Sequence, residues 1–345
     1  YSFPVSVFTR YFKITTKQLQ LGINYWQRKD GLGSYVAGYD YDATADDFIA
    51  HHDSFTVYMK NQSIIFNDKV NWKSDLWYRE DAQREDTGFR YLYRFNQLRK
   101  TYHSTSSQIG FENQFDWKID TDKTFTFGTR FLGLRQTDQV ISLGQEQNGN
   151  ASTTQSSWDI AAAGGGLYQE KVNEIFDESE NAIYALLEGE FSPKLSYSLG
   201  TRYSNGSDYG STNTPRLGLI YHWDNDWLIK TLYGSAFRQP SLFELHDEFR
   251  GSEDLKPEQI DTYEIELNKK LASLGQIKFN LFYSNLSDSI SLITDNSRTG
   301  DQRYANVSSS KAKGISAQAD LRPLDNLSFY ANYMYQQGTD INGNW

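Results

Sequence analysis

Apolar and polar residues alternate with a period of two along most of the chain, the spacing that puts successive side chains on opposite faces of a strand. Leu195, Tyr197, Leu199, Thr201 and Tyr203 alternate with Ser196, Ser198, Gly200 and Arg202. Ile277, Phe279, Leu281 and Tyr283 alternate with Lys278, Asn280, Phe282 and Ser284. The same pattern holds for Leu327, Phe329, Ala331, Tyr333 and Tyr335, for Phe125 to Phe131, and for Leu19 to Tyr25. It predicts about fifteen strands, at 5–14, 18–28, 53–66, 69–80, 88–95, 104–118, 124–139, 180–191, 195–204, 214–223, 227–238, 259–270, 275–290, 303–321 and 326–339. Many reach the ~9–11 residues that a tilted strand needs to cross a bilayer. Strands of soluble sheets are more often about 5–6 residues long.

The connections alternate in length. Short ones lie at 15–17, 67–68, 120–123, 192–194, 224–226, 272–275 and 324–326, and long ones at 29–52, 140–179, 239–258 and 291–302. Short turns on one side and long loops on the other are the asymmetry of an outer-membrane barrel. Trp223 and Trp227 bracket one short turn and Trp117 precedes another, as an interfacial aromatic girdle requires. An all-β, antiparallel up-and-down transmembrane barrel is therefore the expected fold. The chain opens at Tyr1 within a strand-like segment and closes at Trp345 within a loop-like one, so it is expected to be an excerpt of one barrel domain over 1–345. An odd strand count cannot close such a barrel and points the same way.

Composition narrows the class. Aromatics are 15%, Gly is 25 and Pro 6, and mean hydropathy is −0.67. No run approaches the ~18–20 apolar residues of a spanning helix. With no cysteine, disulfides, thiolate metal sites and thiol nucleophiles are excluded. A net charge of −10 argues against a nucleic-acid partner. The chain carries no G-x-S-x-G, P-loop or H-E-x-x-H motif, and no enzymatic activity is expected.

One stretch is more specific. It contains Phe237-Arg238-Gln239-Pro240-Ser241-Leu242-Phe243-Glu244-Leu245, then Leu255-Lys256-Pro257-Glu258 leading to Tyr263-Glu264, Asp288-Ser289-Ile290, Tyr304-Ala305-Asn306 and Lys313-Gly314-Ile315. This order resembles the C-terminal barrel half of TonB-dependent outer-membrane receptors, strongly over 178–339. The resemblance implies a piece of a 22-stranded barrel in the outer-membrane lipid. It also implies energy-dependent uptake of a scarce nutrient, with a ferric siderophore first and haem, cobalamin or an oligosaccharide as alternatives. An N-terminal plug would contact the TonB-type energy-transducing complex. A plug-less porin-like channel and a soluble carbohydrate-binding β-protein are the readings from other classes.

Candidate ligand contacts lie in the long connections. Arg238 and Arg250 suit an anionic chelate, and Tyr39, Tyr41 and Phe249 offer stacking surfaces. The resemblance suggests His246 as a haem ligand, although Gln239 and the run 252–255 depart from the haem-receptor pattern. His51 and His52 form a tempting metal pair, but neighbours on a strand point to opposite faces. Asp40 and Asp42 supply hard oxygens suited to Ca²⁺ but without EF-hand spacing, and a solvated acidic loop is the better explanation of them. No covalently bound cofactor is expected.

Overall fold

The computed structural model describes residues 5–31, 49–84, 87–93, 96–145, 168–246, 250–295, 301–307 and 309–339. Its strands are β1 (Val5–Thr15), β2 (Leu19–Gly31), β3 (Ile49–Ile65), β4 (Val70–Gln83), β5 (Gly88–Tyr93), β6 (Asn96–Asp120), β7 (Lys123–Gln145), β8 (Tyr168–Ser192) and β9 (Leu195–Gly206). They continue with β10 (Gly210–His222), β11 (Trp227–Arg238), β12 (Glu258–Lys270), β13 (Gly275–Ser287), β14 (Ile290–Asp295), β15 (Asp301–Asn306), β16 (Ser310–Leu324) and β17 (Leu327–Gly338). A short α-helix, α1 (Leu242–His246), follows β11.

Fifteen strands form one sheet in the order β1-β2-β3-β4-β6-β7-β8-β9-β10-β11-β12-β13-β16-β17, with β5 beside β3 and β6. Neighbours in the path are almost all successive in sequence, as expected for an up-and-down meander. β14 and β15 form a separate antiparallel hairpin. Residue contacts divide the chain into two compact units, Tyr1–Gln62 with Ser74–Phe111 and Leu132–Glu178, and Ser63–Lys73 with Glu112–Phe131 and Ser179–Trp345.

In the second unit, register makes the two faces continuous, because directly opposed residues share a face. Leu199 opposes Leu217, Leu217 opposes Tyr233, Tyr233 opposes Tyr263 and Tyr263 opposes Tyr283. One pleat away, Ile265, Leu281, Ile315 and Tyr335 line up in the same manner. Most of these side chains are exposed, Leu281 at 54% and Ile265 at 50%. Soluble monomers rarely expose contiguous apolar patches beyond a few hundred Å², so hydrocarbon is the matching solvent for this face. Buried apolar residues are correspondingly few among the described residues and include Leu242, Leu245, Leu255 and Tyr209.

The opposite face is polar and internally paired. Lys230 Nζ lies 2.9 Å from Glu266 Oε1 across β11 and β12. Arg202 Nη2 donates to Glu180 Oε1 at 2.6 Å, and the Tyr209 hydroxyl donates to Glu180 Oε2 at 2.9 Å. Within each unit, aromatic rings lie over glycines of the neighbouring strand. Tyr58 directly opposes Gly22, and a Cβ at Gly22 would sit 2.3 Å from its ring. Phe282 opposes Gly314 with a corresponding 2.5 Å. The Tyr184 ring covers Gly128 at 2.4 Å. Its hydroxyl lies 2.9 Å from Glu112 Oε1 and 3.3 Å from Gln114 Oε1.

The short-turn end carries the expected girdle. Trp223 and Trp117 are exposed, and Lys269 Nζ sits 4.4 Å above the Trp227 ring, a cation–π contact. Asp224 Oδ1 accepts from the backbone N–H groups of Asp226 and Trp227, both at 2.8 Å. These bonds hold its carboxyl below the ordinary range and fold the turn by a side chain that mimics backbone.

Three features differ from the expectations drawn from sequence. β9 and β10 meet through residues 207–209, so one connection on the long-loop side is short, and the alternation is not strict. The expected loop at 291–302 contains most of the β14–β15 hairpin, and the expected strand 303–321 divides into β15 and β16. β7 and β8 extend well into the expected loop 140–179, reaching 23 and 25 residues.

Candidate functional site

The motifs at 237–245, 255–258, 288–290 and 304–306 converge where β11, β12 and β13 end on the long-loop side. Ser241 caps α1 in a reciprocal capping box: Glu244 N–H donates to Ser241 Oγ at 3.2 Å, and Ser241 N–H donates to Glu244 Oε2 at 2.7 Å. The Ser-x-x-Glu spacing makes this exchange possible. Leu242 and Leu245 are the buried residues of α1, and Pro240 is fully buried.

Arg238, the last residue of β11, is clamped by two carboxylates. Its Nη1 and Nη2 donate to Glu244 Oε2 and Oε1 at 2.9 and 3.1 Å, and its Nε donates to Glu258 Oε2 at 2.6 Å. Register supplies the second partner, because Arg238 directly opposes Glu258. Glu258 Oε1 also accepts from Ile290 N–H at 2.7 Å. Asn306 completes the node. Its Oδ1 accepts from Lys256 N–H at 2.8 Å, and its Nδ2 donates to the carbonyls of Lys256 at 2.9 Å and Asp288 at 2.7 Å.

The charges reinforce one another. Hydrogen bonds from Arg238 hold the Glu258 carboxyl below its ordinary 4.5 against the opposing effect of burial. For Glu244 burial is the larger single influence and favours protonation, but Arg238 and Ser241 together outweigh it, and this carboxyl too is lowered. Both depressed groups contribute stability that is complete above about pH 4.5 and is lost as pH falls through their lowered folded values. The expected result is acid-induced loosening of α1, absent at pH 7, that begins below about pH 4.5. Limited proteolysis between Gln239 and Pro257 across pH 3 to 7 in detergent checks it, and Glu258→Gln should flatten the pH dependence.

The anticipated ligand residues fall in different places. Arg238 is exposed at 47% of its side chain, but its charge is already met by two carboxylates. His246 ends α1, with Nε2 3.7 Å from Asp208 Oδ2 and Nδ1 3.8 Å from Glu253 Oε1. Arg250 is exposed, and its carbonyl accepts from Tyr304 N–H at 2.8 Å. Tyr304 in turn meets Phe243 edge to face, with centroids 6.1 Å apart. Arg250 was expected from the sequence, but the aromatic pair beside it was missed, although Phe243 and Tyr304 both stand inside the motifs that carry the resemblance. His51 is buried, with Nε2 2.9 Å from the Gln27 amide nitrogen and 3.2 Å from Asp53 Oδ1. His52 follows it on the other face of β3. No group of three or more metal-binding side chains occurs among the described residues. Tyr39, Asp40, Tyr41, Asp42 and Phe249 lie outside the described residues.

A long antiparallel meander with one lipid-suited face and one paired polar face defines a transmembrane β-barrel of the outer-membrane class. The family model described as "TonB dependent receptor-like, beta-barrel" matches residues 3–345, and the chain belongs to that family. The fold is shared with a mutant of the ferric enterobactin receptor PfeA of Pseudomonas aeruginosa, at TM-score 0.69 and 13% identity, covering 99% of this chain and 52% of that one. The siderophore receptor PirA of Acinetobacter baumannii aligns at TM-score 0.66 and 14% identity, covering 98% and 53%. The vitamin B12 transporter BtuB of Vibrio cholerae is 32% identical over 90 residues, which are 26% of this chain and 15% of that protein. The chain thus spans about half the length of these solved receptors.

Proposed function

We propose that the chain is the barrel portion of an outer-membrane receptor that captures a ferric siderophore at its long-loop end for energy-dependent uptake. The observation that carries this reading is the family match over 3–345, and the siderophore receptors among its structural neighbours support a ferric chelate as the substrate class. Passage across the membrane would draw on a TonB-type inner-membrane complex acting through a plug. Within this chain the ligand contacts pass from Arg238 to the exposed Phe243 and Arg250 and the half-buried Tyr304. Arg238 spends its donors on Glu244 and Glu258, and the aromatic rings of Phe243 and Tyr304 beside the surface-exposed Arg250 suit an anionic aromatic chelate. Nothing in this reading requires bond chemistry by the protein. The BtuB match favours cobalamin as the second reading.

Binding of a ferric catecholate, a ferric hydroxamate, haem and cyanocobalamin to the full-length protein in detergent tests the assignment, read by tryptophan fluorescence. A sub-micromolar ferric chelate, weakened on the order of tenfold by Phe243→Ala or Arg250→Ala, is the expected result. Tight cobalamin with no ferric chelate would transfer the assignment to the second reading. Ion conduction in a planar bilayer with no binding at all would overturn both.

A further inference from the structure

We infer that Lys311 and Lys313, on the lipid face of β16, form a binding site for a phosphorylated lipid headgroup in the leaflet on the long-loop side. The site follows from where the apolar series stops on three adjacent strands. On β16 the lipid-facing residues run Leu321, Ala319, Ala317 and Ile315, and then Lys313 and Lys311. On β17 the series Phe329, Ala331, Tyr333 and Tyr335 gives way to Gln337. On β13 Ile277, Phe279, Leu281 and Tyr283 give way to Asn285. Register brings these boundaries together. Lys313 stands between Tyr283 and Gln337, and Lys311 is opposite Asn285. Both lysines are exposed, as are Ile315 at 47% and Tyr335 at 49% one pleat away.

The electrostatics here are one-sided. The chain carries a net charge of −10, yet neither β13 nor β17 contains an aspartate or glutamate. The one acid of β16, Asp320, stands on the polar face. By contrast, the lipid-facing series of β12 ends at Asp261. A lysine whose aliphatic stem lies against hydrocarbon carries its ammonium outward to headgroup depth. Two such cations, two residues apart on one face, attract a phosphate as point charges. Tyr283 adds the amphipathic ring that a membrane interface favours. A zwitterionic headgroup fits less well, because its own ammonium would sit beside the lysines. The occupant is therefore a lipid whose headgroup bears phosphate without a neighbouring cation.

Titration of the full-length protein in neutral detergent with a bis-phosphorylated glycolipid (lipid A), read by native mass spectrometry, tests the site. No transported ligand is needed, so the result stands apart from the choice of siderophore. Replacing both lysines, Lys311→Gln with Lys313→Gln, should weaken binding on the order of tenfold. Lys270→Gln with Lys278→Gln removes the same charge from the polar face and should leave binding unchanged. Lys311→Arg with Lys313→Arg should bind as the native chain does, which separates charge from shape. Removing the phosphates from the glycolipid should weaken binding as much as the paired glutamine variant does. Equal affinity of the native chain and the paired glutamine variant would overturn the proposal. So would full competition by inorganic phosphate at constant ionic strength, which would mark a general anion site.

Discussion

Arginine in place of Leu281 is expected to destabilise the inserted barrel by about 2–4 kcal/mol, the cost of a cation near the bilayer midplane on a lipid-facing strand. Leu281 occupies the middle of β13, opposes Ile265 on one side and Ile315 on the other, and is 54% exposed. An exposed leucine in water would accept arginine within about 0.5 kcal/mol, so the size of the loss reports the solvent. Asn280 is the control. It is adjacent on β13 but on the polar face, where its Nδ2 lies 3.3 Å from Glu264 Oε2. Asn280→Arg places a cation beside that carboxylate and should cost less than about 1 kcal/mol. Urea unfolding in lipid vesicles compares the two. Equal costs would remove the basis for assigning one face to lipid.

A second large effect is expected at Gly128. Any Cβ there would lie 2.4 Å from the Tyr184 ring and 2.5 Å from the Asn113 carbonyl oxygen. The ring cannot shift without straining its hydroxyl bonds to Glu112 and Gln114. Gly128→Val should therefore cost about 2–4 kcal/mol through overpacking and lost hydrogen bonding. Removing the ring should relieve part of this, so that Gly128→Ala costs less in a Tyr184→Ala background than in the native chain. The coupling is measured by a double-mutant cycle of unfolding free energies. Additive costs would show that the ring does not occupy the space over Gly128.

The two faces were readable in the sequence because strand periodicity is local. Tyr197, Leu199 and Tyr203 fall on one face of β9 and Arg202 on the other, as alternation required. Strand ends were less readable. Over Gln139 to Gln145 and Tyr168 to Phe176 the polar residues no longer alternate with apolar ones, and β7 and β8 run on through pairing that local sequence does not display. The break between β15 and β16 falls at 307–309, where neither glycine nor proline signals it. α1 was legible in principle, since Ser241 and Glu244 have capping-box spacing. The carboxylate clamp on Arg238 was not legible in the sequence, because its partners stand six and twenty residues away. Only the β11–β12 register sets Glu258 opposite it, and register follows from hairpin geometry rather than composition.

The rings seated over glycines bear on how such a sheet avoids assembly errors. A slip of one residue turns a tyrosine or leucine from lipid into the polar face and is rejected by solvent. A slip of two residues keeps every side chain on its proper face, so the alternating pattern is blind to it. The Gly22–Tyr58 and Gly314–Phe282 pairs are not. A two-residue slip would carry Tyr58 from Gly22 onto Gln20 or Asn24, and Phe282 from Gly314 onto Ala312 or Ser316, where a side chain fills the ring's seat. Each pair thus works as a proofreading key, one that can tell two otherwise equivalent alignments apart before the hairpin is committed.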